Sequence, residues 1–484
     1  MRASLYVALV TGLVLLAGCQ GPKADFTSDV RYGKAPLTVH FTDASNPNGN
    51  PITAWTWTFG DGGTSAEQNP THTYAEAGSY TVSLTVTNPD GSNTVRGTSY
   101  IVVGDMWAAA FGTAGEDYAL GVCAREDGGY VLVGTTPSAQ GDMDLYVLKV
   151  DEDGNHVWSK TFGGTGDDVG EAVLTVPIVE DKADVEDNDD IVIAGWTTSF
   201  GKGNRDVYVL RLEADGTEIW TKTYGGTGAD TAYALAADGA GGFILCGESN
   251  SSFGDLKDLY LLKITGSGGQ EWEKIFTGMA GPTNESGNAV IALKDGYLAA
   301  GYAYNGINED MYVVCTDADG VQTWSKMIGG AYDDRAYALA AAADGECIVV
   351  GSYNPALFTG TDLTAVRLDK SGKQVWSRTF GGNRTDIGYA VLAKTTSDFV
   401  LAGVTASTTD HAEDVYLVRI NGAGETVWTR TFGGTGNDAG YALALAPDGG
   451  FVIAGETNSL GAGQKDAYVL RCNASGLAPS APQP

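Results

Sequence analysis

Histidine is nearly missing from this chain, with four among 484 residues. His40, His72, His156 and His411 each stand without a Ser, Cys or metal-ligand constellation around them. That removes the usual imidazole routes to nucleophilic and zinc chemistry. Cysteine is scarce as well. After Cys19 come only Cys123, Cys246, Cys315, Cys347 and Cys472, with no CxxC pair and no Cys/His metal spacing. Most fall in apolar strand patterns such as Phe243-Ile244-Leu245-Cys246 and read as buried small hydrophobes. The third shortage is positive charge: 29 Lys plus Arg against 60 Asp plus Glu, a net charge of -31. Phosphate binding needs a basic face, so the balance argues against nucleic acid as a partner. It argues equally against electrostatic docking on anionic lipid. No phosphate loop is present.

Long apolar runs are also absent, save one at the start. Arg2 precedes an apolar stretch from Leu5 to Leu16 that is short for a bilayer span. It ends in Leu16-Ala17-Gly18-Cys19, with small residues just before the Cys. This resembles a bacterial lipobox. The resemblance implies that residues 1–19 are a lipoprotein signal peptide and that Cys19 becomes a lipidated N-terminus anchored to a membrane. Gln20 follows in place of the Asp that commonly favours inner-membrane retention, so the outer membrane or cell surface is the expected site. Residues 20–23 make a short linker.

Residues 24–104 alternate polar and apolar, as in Leu37-Thr38-Val39-His40-Phe41 and Tyr80-Thr81-Val82-Ser83-Leu84-Thr85-Val86. Such runs read as half-buried strands. Between them stands Trp57-Thr58-Phe59-Gly60-Asp61-Gly62. Trp57 and Phe59 should share one face and fill a core, and Gly60-Asp61-Gly62 should turn through positive φ. The run resembles the hallmark of the PKD domain, and the resemblance covers the whole segment. It implies an immunoglobulin-like β-sandwich that acts as a stalk, with Asp61 and His72 structural.

What the sequence has in plenty is glycine, 68 residues, and a tryptophan that returns with the period of a repeat. Trp107, Trp158, Trp220, Trp272, Trp324, Trp376 and Trp428 are separated by 51, 62, 52, 52, 52 and 52 residues. One unit reads Asp-x-Tyr-Val-Leu, a Gly turn, a Trp strand, Gly-Gly, Asp, a small-residue strand and an apolar strand. Four short strands per repeat predict a propeller blade. The small-residue strand belongs at the crowded axis. The array opens with a Trp strand lacking partners and ends without one, so the Trp107 strand should complete the last blade. The fold class is therefore all-β, an N-terminal PKD sandwich followed by a seven-bladed β-propeller over residues 105–476, with a Pro/Ala-rich tail at 477–484. The repeats resemble the kelch-like and SBBP-type propellers of bacterial surfaces.

Two acidic sets recur. Asp144, Asp206, Asp258, Asp310, Asp362, Asp414 and Asp466 precede the third strand; Asp117, Asp168, Asp230, Asp334, Asp386 and Asp438 precede the innermost, with Glu285 in the fourth blade. Both sets should meet on one face, where they either accept turn N–H groups or form a rim for Ca²⁺ or a cationic ligand. A residue present in every blade points to architecture, so ligand contacts are sought where blades differ. Trp196, Glu248, Tyr302 and Glu456 occupy one such position, and Trp196 and Tyr302 offer flat faces to a sugar. The long repeat step holds an acidic insertion at residues 179–190, where Asp184, Asp187 and Asp189 are metal candidates despite matching no EF-hand spacing. It reads better as a solvated loop on the opposite face.

No motif requires a cofactor, and Ca²⁺ is the one such acids would take. The expected function is a non-catalytic, lipid-anchored envelope protein displaying a propeller for protein or glycan binding. Carboxylate pairs leave open a carbohydrate-active enzyme, a hydrolase or lyase, on the same scaffold. The turn at residues 150–158 resembles the Trp-docking turns of quinoprotein dehydrogenases and outer-membrane assembly lipoproteins, which leaves an envelope-assembly scaffold as a further reading.

Overall fold

The computed structural model describes residues 21–478 except 77, 105, 127, 178–188, 252–255, 278–282, 357–359, 409–411 and 462–463. The chain is all-β and divides into two compact units, residues 1–105 and 106–484.

The first unit is a sandwich. One sheet carries Phe26–Ser28, Leu37–Asp43 and Thr71–Tyr74; the other runs Tyr32–Gly33, Gly91–Val103, Gly78–Asn88, Ala54–Thr58 and Thr64–Ser65 in spatial order. Trp57 and Phe59 are buried together with Phe41, Tyr74, Leu84 and Ile101, as the alternation requires. Gly60 and Gly62 adopt φ of 91° and 97°. A Cβ on Gly60 would also meet the Thr81 backbone at 2.7 Å. His72 lies flat on Phe59, ring centroids 4.1 Å apart, and contacts Asp61 at 2.7 Å. Asp61 also takes the Gly63 N–H, so both groups hold the turn.

The described residues of the second unit form seven four-stranded antiparallel sheets. The first blade runs Tyr118–Ala124, Tyr130–Pro137, Met143–Val150 and His156–Phe162 from axis to rim. The last combines Asp438–Leu445, Phe451–Thr457 and Asp466–Cys472 with Trp107–Phe111 from the other end of the array. The expected closure therefore forms. The small-residue strands are innermost, and each packs against its counterparts in both neighbouring blades. The cores lie between blades, as where Val131 and Val147 meet Ile193 and Leu210.

Tryptophan joins one blade to the next. Each indole docks on the turn before the outer strand of the following blade, against a glycine: Trp107 on Gly154, Trp158 on Gly216, Trp220 on Gly268, Trp272 on Gly320, Trp324 on Gly372, Trp376 on Gly424 and Trp428 on Gly476. The glycines share φ between 71° and 79°. A Cβ on any of them would come within 2.5 to 3.3 Å of the indole. The Trp107, Trp324 and Trp376 Nε1 groups donate to turn carbonyls at 2.8, 3.2 and 3.1 Å. An indole half-covered in this way contributes roughly 2 kcal/mol of apolar burial.

Six outer strands begin two residues before their Trp, because the ladder slips by one residue just before it; the Trp107 strand begins at the Trp and pairs without a slip. Lys149 pairs with Trp158 but Val150 pairs with His156, which leaves Val157 bulged. Val375 and Val427 bulge likewise before Trp376 and Trp428. The bulge turns the indole toward the next blade and leaves the valine exposed. Lys160, Lys222, Lys274, Lys326, Arg378 and Arg430 charge six outer strands, a common guard against edge-to-edge pairing.

Placing Ala at Gly372 tests the docking. Its Cβ would lie 2.7 Å from Trp324 in left-handed backbone. The expected loss is about 2 kcal/mol, read as a lower urea midpoint, with a smaller loss from Ala at the open position Gly239.

Candidate functional site

The innermost strands also carry a bulge, and it falls at the same place in every blade. In the third blade Ala232 pairs with Gly247 while Ala234 pairs with Cys246, so Tyr233 is skipped. The equivalent residues are Leu120, Glu171, Asn288, Tyr337, Tyr389 and Tyr441. Each is flanked by small residues and unpaired on the innermost strand, so the seven residues form a ring about the axis, here called the axial mouth. Tyr337, Tyr389 and Tyr441 form an aromatic arc, with successive ring centroids 5.3 Å apart.

Around this ring lie the residues expected to contact a ligand. Trp196, Glu248, Tyr302 and Glu456 sit on the second strands, one position from the bulge on the same face. None is an open platform. Arg205 lies over the Trp196 ring at 3.8 Å, and Arg335 of the next blade lies over Tyr302 at 4.8 Å. The Glu248 carboxylate is paired with Lys257 at 2.5 Å and accepts the Tyr233 hydroxyl at 3.0 Å. Glu456 is paired with Lys465 at 2.9 Å and hydrogen-bonded by Tyr441. Lys465 continues over Tyr118, whose hydroxyl donates to Glu116 at 2.7 Å. Trp196, Glu248 and Glu456 each bond a ring residue and hold it in place, while Tyr302 packs under Arg335.

The second blade reverses this arrangement. In the third and seventh blades the ring residue is tyrosine and the second-strand residue is glutamate. In the second blade the ring residue is Glu171 and the second-strand residue is Trp196, whose Nε1 donates to Glu171 Oε1 at 3.0 Å. The carboxyl group has moved from the rim to the axis, walled by protein while still touching solvent. Burial pushes its pKa up to about 7, against the opposing pull of the Trp196 hydrogen bond and the Arg205 charge.

The recurrent aspartates turn out to serve the crossovers. Oδ2 of Asp117, Asp168, Asp230, Asp334, Asp386 and Asp438 accepts the backbone N–H of the residue four earlier, at 2.7 to 2.9 Å. Ser199, Ser251, Ser407 and Ser459 hydroxyls donate to the same oxygen in their blades at 2.6 to 3.0 Å. A Cβ on Gly225, between the two acidic sets, would fall 2.5 Å from Asp230 and 2.8 Å from Asp206. Burial raises the pKa of Asp144, Asp258, Asp334 and Asp362, and facing carboxylates add to the rise at Asp144, Asp334 and Asp362.

The acidic insertion lies between Asp168–Pro177 and Asp189–Thr197 of the second blade. Asp189 opens the latter strand and is buried, while neighbouring Asp190 binds Arg211 at 2.7 Å. Asp184, Asp187, Cys19 and His411 lie outside the described residues. Among the described residues no three His, Cys, Asp or Glu side chains converge as a metal site. Cys246, Cys315, Cys347 and Cys472 are buried and Cys123 half-buried, all unpaired.

Sequence reasoning missed the ring because a skipped pairing is invisible without the register. One signal was present: a large or polar residue three places into each small-residue strand, tyrosine in four blades.

Comparison with known proteins identifies the modules. The PKD domain family matches residues 19–103, and a β-propeller domain of unknown function, DUF5122, matches residues 188–217. Collagenase ColA of Bacillus cereus is 42% identical over 69 residues, 14% of this chain and 7% of that protein. Pre-pro-metalloprotease PrtV of Vibrio cholerae is 42% identical over 57 residues, 12% of this chain and 6% of that protein. The chain thus spans under a tenth of these relatives. The crystal structure of the PrtV PKD1 domain is 37% identical and covers 17% of this chain and 99% of its own, with a TM-score of 0.16. A puromycin hydrolase mutant covers 78% of this chain and 56% of its own at 15% identity and a TM-score of 0.47. The NanB sialidase of Streptococcus pneumoniae, as a mutant, covers 95% and 93% at 9% identity and a TM-score of 0.39.

The Glu171 carboxyl should titrate near neutrality. Trp196 emission, taken as the difference between wild type and Glu171→Gln, should change with a midpoint near the pKa of about 7. A featureless difference across that range contradicts the assignment. The chain carries a PKD domain at its N-terminal end and a β-propeller after it.

Proposed function

We propose that this protein is a non-catalytic, lipid-anchored component of a bacterial cell envelope whose propeller binds a protein or glycan ligand at the axial mouth. The PKD module serves as stalk, and the kelch-like or SBBP-type ring as the displayed surface. The observation that carries this reading is the divergence of the bulge ring. The strands, turns, tryptophans and aspartates repeat from blade to blade, while the residues around the mouth do not, and it is there that aromatic faces and an uncommon carboxyl collect. Ligand specificity needs such asymmetry on a symmetric frame.

Replacing both Tyr337 and Tyr389 by Ala should abolish retention of the ligand found by glycan array or pull-down with the soluble form from residue 21. Lys326→Ala on an outer strand should leave retention unchanged. Equal binding by the folded double variant would move the site elsewhere. The anchor has its own test. Cys19→Ser should shift the full-length protein from the membrane fraction to the soluble fraction in a bacterial host, and unchanged membrane association would refute lipidation at Cys19.

One observation favours a second reading. A carboxyl group held near neutrality suits a general acid, so Glu171 would be the proton donor of a hydrolase or lyase acting on sugars at the same mouth. Turnover of an oligosaccharide that is lost in Glu171→Gln, with binding retained, would favour it.

A further inference from the structure

The chemistry of the mouth narrows what it accepts. This step rests on the axial mouth being the binding face. The ring residues are Leu120, Glu171, Tyr233, Asn288, Tyr337, Tyr389 and Tyr441, with no Lys, Arg or His among them. Four basic residues of the same face are held at the rim by partners. Lys257 is on Glu248, Lys465 on Glu456, Arg335 on Glu309 at 2.5 Å, and Arg205 lies over Trp196. Three of the ring residues already spend hydrogen-bond donors on protein partners. Tyr233 donates to Glu248, Tyr441 bonds Glu456, and Asn288 Nδ2 donates to the Ala336 carbonyl at 2.8 Å. A cation finds a carboxylate, π faces and acceptor oxygens. Glu456 adds a buried oxygen, Oε2, that takes no hydrogen bond from the described residues.

We propose that the axial mouth binds an organic ammonium group, with Glu171 as counter-ion and the Tyr337–Tyr389–Tyr441 arc as its aromatic wall. An alkylammonium seated there makes a charge-assisted hydrogen bond to Glu171 and cation–π contact with the tyrosine faces. The net charge of -31 raises the local concentration of any cation near the protein. The group reaches the site either on a free polyamine or on a lysine side chain of a partner. The groups facing Glu171 are Trp196 and Arg205 of its own blade and Tyr233 of the next, which is itself bonded to Glu248. Protonation of Glu171 removes the counter-ion, so binding weakens as pH falls through its pKa of about 7, and bound cation draws that pKa down.

Calorimetry with the folded protein from residue 21 tests this with two probes, spermidine and an end-blocked Gly-Lys-Gly peptide. Saturable binding of either probe at about pH 8 and about 0.15 M salt is expected. It should weaken about tenfold at about pH 6 and about tenfold in Glu171→Gln. That variant keeps an oxygen for Trp196 Nε1, and an unchanged melting curve establishes its fold. Tyr389→Ala should weaken binding as well. Asp319→Asn, on an exposed turn of the opposite face, should have no effect. Binding of spermidine alone identifies a free polyamine as the source, and binding of the peptide alone identifies a partner's lysine. No saturable binding by either probe overturns the proposal. So does unchanged affinity in Glu171→Gln, or an equal loss in Asp319→Asn, which would reveal diffuse attraction to a protein of net charge -31. A neutral glycan held by Tyr337 and Tyr389 without regard to Glu171 would sink the ammonium site while leaving the axial mouth as the binding face.

Discussion

Everything in the second unit depends on one contact repeated seven times, an indole laid on a left-handed glycine of the next blade. The contact is cyclic. A blade's outer strand, paired on one side with its own sheet, is pinned by its indole to the blade that follows, and so on until the ring returns to its start. Trp428 finds Gly476 at the end of the chain, and Trp107, contributed by the beginning, finds Gly154. Without Trp107 the last blade would lack a strand and the first blade would lack its indole. Closure is thus enforced by side-chain packing as well as by the strand pairing of Val469 with Ala109. In six blades a bulge precedes the Trp, while Trp107, at the start of its strand, reaches Gly154 without one.

The carboxylates follow from the same geometry. Joining adjacent blades requires a crossover from rim to axis, and its turn leaves backbone N–H groups that need acceptors. Asp117 and its equivalents supply them, and hydroxyls such as Ser459 complete the coordination. The facing set beginning with Asp144 crowds the same glycine, which is why that residue must lack a side chain. Much of the acidity on this face is therefore held inside turns. A ligand sees the few carboxyl groups left over, and Glu171 is the one at the axis.

Periodicity explains how much could be read from the sequence. Trp, Gly-Gly and Asp recur because each repeat solves the same packing problem, and from their order follow the strands, the innermost small-residue strand and the closure by Trp107. In the PKD module the alternation around Trp57 and Phe59 was enough to find the core. The site was less legible for two reasons. Trp196 and Tyr302 stand out as aromatics at a variable position, but nothing in the sequence reveals that Arg205 and Arg335, the latter 33 residues downstream of Tyr302, lie across their rings. The ring at the mouth depends on a one-residue slip in pairing, and a slip alters no residue.

Glu171 shows how a repeat acquires a distinctive group without disturbing its frame. In the third and seventh blades a ring tyrosine donates to a rim glutamate, and a lysine neutralises that glutamate. The second blade keeps the aromatic, the acid and the base but exchanges the first two. Trp196 takes the rim and Glu171 the ring, still joined by one hydrogen bond. The base does not follow the acid: Arg205 stays at the rim and covers the aromatic. The carboxyl is thereby separated from its direct ion pair and drawn inward, and burial raises its pKa to near neutrality. Restoring the ordinary order with Glu171→Tyr and Trp196→Glu together would return the acid to the rim. It should remove the neutral-pH titration while leaving the docked tryptophans and the ring intact.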